Sequence, residues 1–93
     1  SDFFKLAQIH TERQEWKLAL NNVNAALKDD DFDKSSNAYI LKGNILFNMN
    51  DLNGARQSFA AAEKFPEAEK TAAPWLAFVE AEQKRREYMA SVN

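Results

Sequence analysis

Side chains on this chain recur with the spacing of amphipathic α-helices. Three apolar residues and a histidine fall at i, i+3, i+4 and i+7 within residues 2–12, on one face of a helix: Phe3, Leu6, Ala7 and His10. A second stripe lies within residues 15–29: Trp16, Ala19, Leu20, Val23, Ala26 and Leu27. Polar residues fill the positions between them, as on the wet face of a helix. The pattern predicts two helices joined by a short turn at Arg13 and Gln14.

A third helix is predicted from Ser35 or Ser36, either of which can cap it, to about Asn48. Its apolar residues cover more than half of the circumference: Tyr39, Ile40, Leu41, Ile45, Leu46 and Phe47. A helix of this kind packs between two neighbours. Gly43 in its middle costs about 1 kcal/mol relative to Ala. We therefore expect the backbone of another helix to approach closely there.

A fourth helix follows a turn at residues 48–51. Asn50 or Asp51 is predicted to cap this helix, because short polar side chains accept hydrogen bonds from the first free amides. Its stripe contains Leu52, Ala55, Phe59, Ala62 and Phe65. Pro66 is predicted to end it.

The fifth helix is predicted to begin near Thr71 or Ala72, with Pro74 tolerated in its first turn. Its first turns are apolar, whereas residues 82–87 are almost entirely charged or amide. Such a helix is expected to dock at one end and project at the other.

The same kinds of side chain return every 36 residues. Aromatic residues recur at this interval, and a smaller residue follows each by four: Phe3 and Ala7, Tyr39 and Gly43, Trp75 and Val79. The second helices share three such pairs: Ala19 and Ala55, Val23 and Phe59, Ala26 and Ala62. A fixed period of this length is typical of a solenoid, in which each unit buries its apolar face only against its neighbours.

On these residues the chain resembles the tetratricopeptide repeat (TPR) family. The central unit carries the family pattern at Tyr39, Gly43, Leu46, Ala55, Phe59, Ala62 and, displaced by one, Pro66. The first unit matches more loosely at Phe3, Leu6, Ala7, Ala19, Val23 and Ala26, and a third begins at Trp75, Phe78 and Val79. The period of 36 is two residues longer than that of the family. The resemblance implies an all-α, TPR-like superhelix of two helical hairpins plus a C-terminal capping helix.

We expect one domain over residues 1–93, with units of about 1–34 and 35–70 and a capping helix of about 71–92. A narrower resemblance rests on residues 37–48, residues 72–80 and the run 84–86. These segments are similar to the C-terminal end of periplasmic TPR proteins encoded beside a second TonB-type system in Gram-negative bacteria. This resemblance implies a fragment of a longer periplasmic array, with a cytoplasmic protein as the alternative.

Composition narrows the class of function. The net charge is −2 and the basic residues are dispersed, which does not match the basic footprint of a nucleic-acid binder. There is no cysteine, and no apolar run approaches the roughly 18 to 20 residues that cross a bilayer. We therefore expect neither nucleic-acid binding nor membrane insertion.

Candidate catalytic and metal-binding residues do not assemble into a site. His10 is the single histidine, so neither a metal site nor a nucleophilic triad can be built around it. In the aspartate run that begins at Asp29, a calcium loop needs Gly and Glu where Lys34 and Ile40 stand. The basic run 84–86 lies among glutamates and is interpreted as a solvated helix end. We expect no enzyme activity and no cofactor.

The family resemblance implies a binding surface for a peptide or partner protein on the concave side, which the first helix of each unit lines. Mapped onto this chain, that face holds Phe4, Gln8, Thr11, Glu12, Ile40, Asn44, Phe47, Asn48, Leu76, Glu80, Gln83 and Lys84. Asn44 and Asn48 are one turn apart, a spacing suited to an extended main chain. The family's carboxylate-clamp version has Lys and Asn where Phe4 and Gln8 stand, so binding of a chaperone tail is not expected.

Two alternatives stay open. Ile40 and Phe47 could simply contact the fifth helix. The other is that the whole chain is a structural C-terminal cap or oligomerisation segment of a longer repeat protein, such as an accessory of a TonB-type transport system. In that case an apolar side at Phe3, Phe4 and Ile9 is free to form a homodimer.

Overall fold

The computed structural model describes residues 2–92, which form five α-helices and no strand. They are α1 (Asp2–Glu12), α2 (Trp16–Lys28), α3 (Ser35–Asn48), α4 (Leu52–Glu63) and α5 (Glu69–Ser91). The all-α class is confirmed. α1 and α2 form one hairpin, α3 and α4 form a second, and α5 packs mainly on α4.

The two hairpins close with the same turn, 36 residues apart. Gln14 and Asn50 take left-handed backbone angles, with φ of 60° and 67°. In each turn the following amide donates to the carbonyl five positions earlier, at 2.9 Å. This bond is part of the Schellman motif, which satisfies carbonyls left free at a helix end. The repeat is therefore present in the backbone as well as in the side chains.

The sequence predicted side-chain caps for α3 and α4, and the structure has the one at α4. The Asp51 carboxylate accepts a hydrogen bond from the Gly54 amide at 2.9 Å, as expected of a cap. At α3 the expectation was wrong, because Lys34 occupies the cap position and makes no side-chain cap bond. The first helical bond already starts from the Lys34 carbonyl, so Ser35 and Ser36 lie inside the helix.

Most of the recurring positions form the core, but the recurring aromatics Phe3 and Trp75 are 46% and 42% exposed. The following are completely buried: Ala7, Ala19, Val23, Ala26, Ala55, Phe59, Ala62 and Val79. They belong largely to two apolar clusters, one in the first hairpin with Ala38 and Ile45 of α3, and one around Phe59. Leu20 and Met49 pack against both clusters, so the two hairpins share one continuous core.

Gly43 is required by a side chain and not, as expected, by a neighbouring helix backbone. A Cβ atom at this position would lie 2.6 Å from an atom of the Phe59 ring. The ring is fully buried and stacks on Trp75, with centroids 5.9 Å apart, so it has little room to move. The space that glycine leaves on α3 is the space that the ring fills.

α5 begins earlier than the sequence indicated, at Glu69. The Ala72 amide already donates to the Ala68 carbonyl at 2.8 Å, and Ala68 is itself buried. Pro74 is therefore the sixth residue of the helix and lies in its second turn, which corrects the expected first-turn position. Having no N–H, it leaves the Lys70 carbonyl without the usual helical donor.

The face of α5 that packs on the second hairpin is not the one that the repeat implies. α3 packs on the first hairpin through Ala38, Leu41 and Ile45, whose equivalents 36 residues later are Pro74, Ala77 and Ala81. Those three are exposed, and α5 instead turns another stripe inward: Ala72, Leu76, Val79 and Gln83. At 100° per residue the two stripes differ by roughly half a turn of the helix.

The surface of α4 supplies the reason. On α2, Leu20 and Leu27 pack on the cluster that contains two residues of α3, but the equivalent positions of α4 are Arg56 and Glu63. These charged groups cannot form the same apolar seam without loss of hydration. α5 packs instead on the apolar part of the second hairpin around Phe59.

Candidate functional site

A groove lies between α1, α3, the connection from α4 to α5 and the first turn of α5. Its volume is about 330 Å³. Its walls combine apolar and amide side chains: Phe4, Gln8, Asn37, Ile40, Leu41, Asn44, Glu67, Ala68 and Thr71. Four of the predicted surface residues are thereby brought together, namely Phe4, Gln8, Ile40 and Asn44.

The apolar walls of the groove are held in place by the core. The Phe4 ring lies 5.6 Å from the Phe32 ring, centroid to centroid, and both pack on the first cluster. Ile40 packs on the second cluster. Because these side chains are half-buried and supported from behind, the apolar part of the groove exists before any ligand arrives.

The amides of the groove are available for a ligand. Within residues 2–92, the side-chain amides of Gln8, Asn37 and Asn44 form no hydrogen bond. Each can donate two hydrogen bonds and accept others. A main chain lying in the groove would find the donors and acceptors that its own peptide groups need.

Two further cavities extend the groove along α1. One, of about 260 Å³, shares Phe4, Gln8 and Asn37 and is completed by Lys5, Phe32, Asp33 and Lys34. The other, of about 470 Å³, reaches Ile9, Thr11, Glu12 and Leu41. All four predicted residues of α1 thus line the groove or one of its extensions.

Other predicted surface residues make contacts within the chain. The Phe47 ring lies 5.5 Å from that of Phe78 on α5, as the alternative interpretation of Phe47 held. Leu76 packs on the second cluster, and the Gln83 amide donates to Asn53 Oδ1 at 2.8 Å. Both side chains therefore attach α5 to the second hairpin.

The remaining three are exposed. The Asn48 amide donates to the Asn44 carbonyl at 2.8 Å, which occupies part of the hydrogen-bonding capacity expected to serve a ligand. Glu80 and Lys84 lie on α5, away from the four residues that the groove brings together.

Asn37 was missed by the reasoning from sequence. It lines the groove and one of the extensions. Its spacing of three from Ile40 and seven from Asn44 is the helical signal that could have found it.

The basic run on α5 is partly neutralised. The Glu82 carboxylate accepts hydrogen bonds from Arg85 and Arg86, each at 2.8 Å at the closest approach. These two guanidinium groups lower the pKa of Glu82 from 4.5 to about 2. Arg86 also donates to the side chain of Asn50, which links α5 to the turn of the second hairpin.

Other candidate chemistry stays unassembled in the described part of the chain. His10 Nδ1 lies 2.9 Å from the Glu15 carboxylate, and the Asp29 side chain accepts from the Asp31 amide. Residues 2–92 contain no group of three His, Cys, Asp or Glu side chains placed to hold a metal ion. Over the same range, none of the helices combines the length and apolar character needed to cross a bilayer.

Comparisons of the chain with protein-family models, with curated proteins and with solved structures find no match in any of the three. The case for a function therefore rests on the groove and its chemistry.

Proposed function

We propose that this protein is a TPR-type adaptor that binds an extended peptide segment of a partner protein in the groove between α1 and α3. One observation carries the proposal. Side chains from two successive first helices converge on one preformed trough that offers apolar walls beside unpaired amides. Apolar contacts supply most of the affinity of such sites, and a few polar groups set orientation.

The charges around the groove favour a peptide with a neutral, partly apolar centre. Glu67 is the charged residue in the wall of the main cavity. Lys5, Asp33 and Lys34 line the neighbouring extension. We expect apolar side chains of the peptide against Phe4 and Ile40, with its main chain bonded by the amides.

The test uses peptides of about twelve residues selected from a random phage-displayed library against the whole chain. Titration of a selected peptide into ¹⁵N-labelled protein is expected to shift the side-chain amide signals of Gln8, Asn37 and Asn44. The double variant Gln8→Ala with Asn44→Ala is expected to weaken binding at least about tenfold. Its helical content should not change, because neither side-chain amide bonds within the protein.

A matched control removes two amides from another cavity. Asn24 and Gln57 line a cavity of about 440 Å³ that involves α2, α3 and α4. The double variant Asn24→Ala with Gln57→Ala should bind as the unmodified protein does. Selected peptides that lose affinity for this control, and not for the groove variant, would place the binding surface elsewhere.

A second candidate function is that of a cap on a longer periplasmic array that serves a TonB-type system. The orientation of α5 favours it. Val79 of α5 packs on the second hairpin, whereas in a regular third unit it would pack on the other helix of its own hairpin. Removal of residues 69–93 would then expose Ala55 and Phe59. The truncated chain should self-associate in sedimentation experiments; a folded monomer would exclude a capping role.

A further inference from the structure

The exposed side of α1 is apolar at its centre and oppositely charged at its two ends. Leu6 and Ile9 are 41% and 45% exposed. Asp2 begins the helix and Arg13 directly follows it, and both are exposed. At 100° per residue these four side chains fall within about 60° of the helix circumference. In residues 2–92, neither Asp2 nor Arg13 forms an ion pair.

The internal repeat shows which neighbour this face does not suit. The equivalents of Asp2, Lys5 and Arg13 in the second unit are apolar residues that pack on the first hairpin: Ala38, Leu41 and Met49. A helix like α2 placed on α1 would press its apolar side chains against three charges. Burying unpaired charges is costly, so such a neighbour is disfavoured.

We propose that this face binds the same face of a second copy of the chain, with the two α1 helices antiparallel. In the register that sets Asp2 of one copy against Arg13 of the other, Leu6 of one copy lies beside Ile9 of the other. A two-fold axis produces each of these contacts twice, as in an isologous dimer.

Charge fixes the orientation of the pair. A parallel arrangement would set Asp2 against Asp2 and Arg13 against Arg13, and both contacts repel. Charges at an interface exclude a wrong arrangement by repulsion more effectively than they add affinity to the right one by attraction. Because α1 has 11 residues, the contact is smaller than the roughly 1,000 Å² of a stable interface. The dimer is therefore weak and reversible. Ile9 also lines one extension of the groove, whereas the main cavity, with Phe4 and Ile40 in its wall, lies outside the seam.

Sedimentation equilibrium of the whole chain, from about 10 μM to about 1 mM, tests the proposal. The average mass is expected to rise with concentration from 10.6 kDa toward twice that value. Ile9→Glu is expected to weaken association at least about tenfold, since it puts a carboxylate at the centre of the seam. Met89→Glu, at a residue of α5 that is 51% exposed, is the matched control and should leave association unchanged.

Charge exchange tests the register. Asp2→Lys alone and Arg13→Glu alone each create two repulsive contacts, so each variant should be monomeric with unchanged helical content. An equimolar mixture of the two restores both attractive contacts and should form a mixed dimer. A wild-type chain that stays monomeric throughout, association that survives Ile9→Glu, or a mixture that stays monomeric would each overturn the proposal.

Discussion

Gly43 and Phe59 are a matched pair whose counterparts in the first hairpin are Ala7 and Val23. In both hairpins the two residues fill the space between the crossing helices, but their sizes differ. The first hairpin has a methyl group on one helix and a medium side chain on the other. The second has no side chain on α3 and a full ring on α4. At this contact the loss of the methyl group on one helix accompanies a larger side chain on the other.

This pairing makes the effect of Gly43→Ala depend on residue 59. In the unmodified protein we expect a net loss of up to about 2 kcal/mol. Overpacking against the fixed Phe59 ring costs about 1–3 kcal/mol, whereas the helix gains about 1 kcal/mol from Ala. In a Phe59→Val background the ring is gone, and Gly43→Ala should instead stabilise the fold by up to about 1 kcal/mol.

Urea unfolding of the four chains gives both free-energy differences from one cycle. Phe59→Val costs stability in its own right, so only the effect of Gly43→Ala within each background is compared. A Gly43→Ala effect of the same sign and size in both backgrounds would show that the ring does not set the requirement for glycine.

Among the elements, α5 departs most from the repeat. It carries the repeat's aromatic and small residues at Trp75 and Val79, yet it turns Val79 toward the preceding unit. No following helix in residues 2–92 competes for that face. The lost apolar seam at Arg56 and Glu63 and the free apolar stripe of α5 together favour the reversed orientation.

Substitutions on the two faces of α5 are expected to separate the orientations. Val79→Ala should lower the free energy of unfolding by about 2 kcal/mol, because Val79 is completely buried. Ala77→Glu and Ala81→Glu should change it by less than about 0.5 kcal/mol, as is usual for exposed positions. Thermal or urea unfolding measures all three. Strong destabilisation by the two glutamates would mean that α5 packs as α3 does.

At the scale of the whole molecule, two clusters act as one core because Leu20 and Met49 touch both. The molecule is elongated, with extents of 48 × 29 × 19 Å. Elongated repeat proteins can unfold unit by unit when the contacts between their units are weak. The shared side chains argue for a single cooperative transition.

The two tryptophans allow this to be measured. Trp16 packs on the first cluster and Trp75 stacks on Phe59 in the second. Trp75→Phe leaves Trp16 as the fluorescent probe, and Trp16→Phe leaves Trp75. Within each of these two variants, we expect fluorescence and circular dichroism to give the same urea midpoint. A Leu20→Ala substitution weakens the contact between the two clusters, so in that background the fluorescence and circular dichroism midpoints should differ more. Different midpoints in the chains with Leu20 intact would show independent units.

The local pattern by itself determined the helices, the hairpin turns and the buried stripes of α2 and α4. α1 has the predicted bounds, and α2 differs from its prediction by a single residue at each end. Among the recurring positions on α1 to α4, those such as Ala19 and Ala55 are completely buried, whereas the aromatic Phe3 is 46% exposed. These features depend on spacing along a helix of 3.6 residues per turn, and that spacing is written in the chain.

Only the tertiary structure decided which faces meet. The orientation of α5 depends on Arg56 and Glu63, which lie on another helix. For the same reason Phe47 and Gln83 turned to contacts within the chain, while Gln8 and Asn44 came together across two helices. Periodicity fixes the direction of a side chain around its own axis, whereas a groove or a seam depends on how separate helices settle against one another.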